Sequence, residues 1–106
     1  MKRKLAVVIA AFVALAVPLS ALAADGAALY KAKCASCHAA DGSGQTNIGK
    51  SMKLRDLGSA DVQKQSDKEL FAWTADGKGK MPAYKTKLSE EEINALVAHM
   101  RTFAKK

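Results

Sequence analysis

The chain has 106 residues, enough for one small domain, and Lys plus Arg number 17 against 10 Asp plus Glu. The lysines are scattered, with no basic stripe interleaved with aromatics, which excludes the nucleic-acid-binding class. The two cysteines stand three apart, so a disulfide between them would close a tiny loop and stabilise little.

Residues 1–23 read as a secretory signal. Lys2, Arg3 and Lys4 precede an apolar run from Leu5 to Val17, Pro18 and Ser20 break it, and Ala21-Leu22-Ala23 supplies the small residues of a cleavage site. The run is short for a membrane span, which needs about 20 residues. Retention as an N-terminal anchor is the alternative to cleavage. Cleavage after Ala23 leaves a domain over residues 24–106, carrying a net charge of about +4. Such a chain is marginal for a core of its own, so something other than a disulfide has to complete it.

The exported part reads as helical, with no strand-like alternation. Asp25 is an N-cap for a helix running through "GAALYKAKCASC". Residues 41–51, "DGSGQTNIGKS", read as a long polar loop, and "GKSMKLRDL" as a loop or short helix. A short helix starts at Ser59. Ser66 and Glu69 form a capping box for a helix that Gly77 ends. Residues 76–84, "DGKGKMPAY", make a second Gly-rich loop with an apolar Met-Pro at its centre. Ser89 and Glu92 cap a last helix whose Ile93, Leu96, Val97, Met100 and Phe103 share one face. Its end carries Arg101, Lys105 and Lys106, suited to the negative end of the helix dipole.

Cys34, Cys37 and His38 fit C-x-x-C-H, the attachment motif for c-type haem. On a helical turn, residues three and four apart share a face. Both thiols can therefore reach the two vinyl groups of one porphyrin, and His38 can offer its imidazole to the iron from the same turn. A thioredoxin-like pair would sit beside a βαβ pattern, which is missing. Structural zinc wants four ligands, and two Cys with two His, two of them adjacent, would serve a tetrahedron badly. A free dithiol is the plain alternative.

A second axial ligand has four candidates: Met52, Met81, Met100 and His99. Met100 continues the apolar face of the last helix and reads as core. A lone His on a terminal helix is more often structural. Met81 lies in the second Gly-rich loop before Pro82, which favours extended chain able to lay a thioether over a haem face.

With these residues placed, the chain resembles the class I cytochromes c of the short bacterial monohaem kind. The resemblance rests on "CASCH", "GKGKMPAY" and "LSEEEINALVAHM" and covers Asp25 to about Phe103. Gly26 and Tyr30 match the family's small residue and aromatic on the first helix, and Leu96 matches the aliphatic opposite them. His99 departs from the family, falling where an aromatic is common. The Gly-Pro pair that commonly follows the motif is also absent, so the acceptor for the His38 ring N–H is expected among the backbone carbonyls of residues 42–49.

The resemblance implies an all-α fold of three to five helices around one covalently bound haem c. It implies an electron-transfer protein rather than an enzyme, with His38 and Met81 as axial ligands of the iron. The resulting expectation is a monomeric, soluble periplasmic carrier that exchanges electrons with redox proteins and makes no stable membrane insertion. Two alternatives are a haem subunit of a larger oxidoreductase and a haem enzyme or gas sensor with an open sixth position. Arg55 and Trp73 are candidates for the haem propionates. Lys78, Lys80, Lys85 and Lys87 bracket Met81 and are candidates for docking an acidic partner.

Overall fold

The computed structural model describes residues 25–105. The signal segment read over residues 1–23 lies outside them. Within them are α1 Gly26–Lys33, α2 Ala35–His38, α3 Asn47–Met52, α4 Ala60–Gln63, α5 Asp67–Asp76 and α6 Glu90–Arg101. The fold is all-α, and its one strand-like feature among the described residues is an isolated bridge between Lys78 and Met81. None of the described helices is long and apolar enough to cross a membrane.

Six helices exceed the three to five expected, for two local reasons. The first helix is broken at Cys34, which leaves the helical path at φ −118°. The hydroxyl of Tyr30 donates to the carbonyl of Ala39 at 2.5 Å. A straight helix would hold residues nine apart at about 13 Å along its axis, so this bond requires a bend between them. The second reason lies in the polar loop, whose end forms α3. The Thr46 side chain caps it by accepting from Gly49 N–H, and Lys53 closes it in the left-handed conformation at φ 54°.

The other caps follow the sequence more closely. Ser59 caps α4 and Ser89 with Glu92 forms the full reciprocal box on α6. Ser66 accepts from Glu69 N–H, but the box on α5 is half-made, because the Glu69 carboxylate stays in solvent and returns no bond.

α6 is the spine of the molecule, with α1 and α5 packed on it. Its Ile93, Leu96, Val97 and Met100 are buried with Tyr30 of α1, Leu70 and Ala75 of α5, Val62 of α4, and Leu88. α1 crosses α6 at Gly26, where a Cβ would collide with the carbonyl of Ala95 and lie 3.3 Å from the Cβ of His99. His99 fills the aromatic's place in the crossing, its ring 5.1 Å from that of Tyr30 and 5.0 Å from that of Phe103. Helix α6 stops before Phe103, which still packs on the core from the following turn.

Candidate haem pocket

The core is not closed. Tyr30, Val62, Leu70 and Met100 show part of their surface to a cavity of about 610 Å3, which Cys34, Cys37, His38 and Met81 also line. That volume falls in the ordinary range for small-molecule sites.

The Cys-containing side is built from the bend at Cys34. His38 N–H and Cys37 N–H both donate to the Cys34 carbonyl, and Gly44 N–H holds the His38 carbonyl at 2.8 Å. The Thr46 hydroxyl donates to the Cys37 carbonyl at 2.7 Å. Gly49 lies so close that a Cβ would press to 2.7 Å from the same Cys37 oxygen. Neither cysteine is in a disulfide, and burial, with the neighbouring Cys37, pushes the Cys34 thiol up to about 11.

His38 is held neutral, its imidazole pushed below the ordinary value by burial. Its Nδ1 is enclosed and has no hydrogen-bond partner among the described residues. The carbonyl of the 42–49 loop expected to accept from this ring therefore does not reach it. The Gly49 and Lys50 carbonyls at the end of this loop are taken up in α3, where both accept from Lys53 N–H. An atom facing an open cavity would have accessible surface, so Nδ1 points away from the pocket and Nε2 is the nitrogen left for a metal.

The Met81 side is a tight turn. Met81 N–H donates to the Lys78 carbonyl at 3.0 Å and Lys78 N–H to that of Met81 at 3.2 Å. Gly79 sits between them at φ 59°, and Gly77 at φ 69° packs under the returning Pro82-Ala83 backbone. Beyond it, Tyr84 and Lys85 N–H groups bond the Thr74 and Ala75 carbonyls at the end of α5. The Tyr84 hydroxyl then reaches the Lys33 carbonyl at 3.2 Å, next to Cys34. That bond ties the methionine loop to the cysteine turn across 51 residues of sequence.

Of the four sulfur and imidazole candidates, Met52, Met81 and Met100 line the pocket, and His99 does not. Met100 is buried in the core at 7% exposure. Arg55 and Trp73 both line the cavity. Lys78 and Lys80 are at its rim, with the Lys78 ammonium 4.5 Å from the centre of the Trp73 ring. Lys85 and Lys87 are not part of the lining: Lys85 pairs with Asp76 at 3.3 Å and Lys87 leans over the Tyr84 ring. The sequence reading missed Thr46 and Tyr84 as site-building residues. The one signal for Tyr84 was its place in "MPAY".

The residues fit a covalently attached haem: two thiols, a neutral imidazole with one nitrogen free, sulfur donors, and a largely apolar wall that nothing among the described residues fills. A protein-family model described as cytochrome c oxidase, cbb3-type, subunit III, matches residues 21–100. Cytochrome c6 of Leptolyngbya boryana is 36% identical over 84 residues, covering 79% of this chain and 95% of that protein. The chain belongs to the class I c-type cytochromes. Cytochrome c6 of Microcystis aeruginosa is 35% identical over 82 residues, covering 77% of this cytochrome and 98% of the relative. Among solved structures, the KustC0563 c-type cytochrome superposes with a TM-score of 0.71 at 36% identity, over 76% of this chain and 99% of that one. This cytochrome is accordingly an electron-transfer protein and not an enzyme, and it carries covalently bound haem c, with two cysteines present for attachment.

Proposed function

We propose that this cytochrome is a soluble, monomeric periplasmic carrier that moves one electron at a time between redox proteins. In this reading Cys34 and Cys37 hold the haem, and His38 and Met81 are the axial ligands of its iron. The reading is supported above all by one observation: the C-x-x-C-H turn and the methionine loop line one cavity, joined by the Tyr84–Lys33 bond.

When bound, the haem supplies a one-electron couple between ferrous and ferric iron. The residues around it hold that couple. His38 offers a neutral imidazole, and a Met81 thioether favours the ferrous form and raises the potential. Tyr30, Val62, Leu70 and Met100 keep water from the buried part of the pocket. Arg55 and the Trp73 indole are suited to propionate carboxylates. Lys78 and Lys80, exposed at the rim, are suited to an acidic partner, with Lys85 and Lys87 exposed beyond the lining as further candidates.

The test is Met81→Ala. The ferrous protein is expected to take up carbon monoxide and the potential to fall. An unchanged spectrum and potential would reject Met81 and leave Met52, the other pocket methionine outside the core, as ligand. The description of the matched family model favours a second reading, a haem subunit of a larger oxidoreductase. The purified protein, alone in solution, separates the two: a free carrier exchanges electrons rapidly with a soluble redox protein, and a dedicated subunit does not.

A further inference from the structure

Ala39 follows His38 directly and stands at φ 67°, ψ 160°. That region belongs almost wholly to glycine, because a Cβ there crowds the backbone. Something has to hold an alanine in it. Ala39 N–H donates to the Ala35 carbonyl at 2.9 Å, and the Ala39 carbonyl accepts from Gly42 N–H at 3.1 Å. Both bonds are local and would move with the turn. A third comes from another helix: the Tyr30 hydroxyl, donating to the same Ala39 carbonyl at 2.5 Å. Tyr30 itself is packed in the core. It is 2% exposed, and its ring is wedged 5.1 Å from His99 and 5.1 Å from Phe103. Burial, with Cys34 and Asp41 nearby, raises its phenol well above the usual value, so it remains a donor at neutral pH.

His38 needs such outside help. A ligating imidazole is usually oriented by a hydrogen bond to its outer nitrogen. Here Nδ1 has no partner among the described residues. The direction of the ring then depends on the backbone at its root, which is fixed on two sides: by Gly44 N–H on the His38 carbonyl and by Tyr30 on the next one.

We propose that Tyr30 is a positioning residue for His38: its hydroxyl clamps the Ala39 carbonyl, holds the backbone in a glycine-type turn, and so aims the imidazole into the pocket. The proposal rests on the reading of His38 as the proximal ligand. It is a role separate from the packing of the Tyr30 ring, which phenylalanine would supply equally.

The test uses the haem-loaded protein and three variants, Tyr30→Phe, Ala39→Gly and the two combined. The readouts are the electron paramagnetic resonance g-values of the ferric form, which respond to axial-ligand orientation, the reduction potential, and urea stability. Tyr30→Phe is expected to shift g-values and potential and to lose about fivefold in the folding equilibrium constant, the worth of one hydrogen bond. Ala39→Gly alone is expected to gain stability with g-values unchanged. In the combined variant, glycine adopts the turn unaided, and the g-values and potential return towards those of the parent although the hydroxyl is still missing.

A Tyr30→Phe variant that loses stability but keeps both signatures would overturn the proposal, making Tyr30 a core residue only. So would an Ala39→Gly variant that gains nothing, since the alanine would then be unstrained, or a combined variant as displaced as Tyr30→Phe. His38→Gly, supplied with imidazole, tests the ligand reading separately. A spectrum indifferent to both the substitution and the imidazole removes His38 as ligand. A spectrum lost on substitution and restored by imidazole keeps the ligand reading, whatever Tyr30→Phe shows.

Discussion

Gly26 shows how little room a single position leaves in this protein. A Cβ there would collide with the Ala95 carbonyl oxygen and press to 2.8 Å from its carbon. Backbone cannot swing aside as a side chain does, so α1 and α6 would have to part. Gly26→Ala is therefore expected to destabilise by about 2 kcal/mol, within the usual cost of overpacking and despite the better helix propensity of alanine. Urea unfolding of the haem-loaded protein checks this, and a midpoint equal to that of the parent would mean the crossing is looser than the structure has it. This residue was legible in the sequence, through the small-then-aromatic pattern of Gly26 and Tyr30. The motif residues were legible for a different reason: C-x-x-C-H is a local pattern whose spacing carries its own chemistry. The hydroxyl of Tyr30 was not, because its acceptor exists only once the chain bends at Cys34. Nor was the unpartnered Nδ1 of His38, since every loop offers carbonyls and only geometry decides which one arrives.

At the level of elements, sequence and structure part where an element is fixed by distant partners. α4, α5 and α6 were announced by Ser59, Ser66 and Ser89, because a cap is a bond made within three residues. α3 was only half legible: "GKSMKLRDL" allowed a loop or a short helix, and the start at Asn47 with its Thr46 cap lay among Gly and polar residues of weak helix propensity. Arg101 is the clearest case. In sequence it suits the dipole at the end of α6. In the fold it donates to the Gln63 carbonyl at 2.8 Å, to that of Gln65 at 2.6 Å and to the Asp67 carboxylate at 2.8 Å. It thereby fastens the junction of α4 and α5 to the last helix, over 34 to 38 residues of sequence. Gln63 supports the same joint from the other side, its amide bridging the Leu57 and Met100 carbonyls. Arg101→Ala is expected to cost about 2 kcal/mol, mostly through the two carbonyls left behind, since the Asp67 carboxylate is largely in solvent. Arg101→Lys should recover less than half, because a single ammonium cannot span three acceptors that a planar fork meets together. Thermal or urea melts of the two variants measure this, and full recovery by lysine would show that charge, not the fork, matters.

For the molecule as a whole, the cavity governs stability. The walls of the pocket are also the core: Tyr30, Val62, Leu70 and Met100 belong to both. With nothing in it, a pocket of about 610 Å3 would leave those core side chains without packing partners on one side. Water entering it would relieve the void only by wetting apolar walls. Haem is thus the staple that length and cysteine spacing call for. Protein stripped of haem should lose most of its helical circular dichroism and melt without a cooperative transition, and a sharp melt at near-native helix content would contradict this. The opening of this pocket also bears on how electrons leave. A haem held in this pocket would meet a partner at the pocket mouth, where Lys78 and Lys80 stand with Trp73. Trp73 is 37% exposed and lies under the Lys78 ammonium, so the mouth pairs positive charge with an apolar face. Charges of this kind speed encounter and hold the complex only weakly, which suits rapid turnover. They are screened over about 8 Å at physiological salt. Electron exchange with an acidic redox protein should therefore slow steeply as salt rises, and Lys80→Glu should slow it further at low salt. Lys85→Glu should act less, because Lys85 lies outside the pocket rim and already pairs with Asp76. Stopped-flow rates across a salt series measure all three. A rate indifferent to salt and to both substitutions would leave the apolar face of Trp73 and Pro82 as the docking contact.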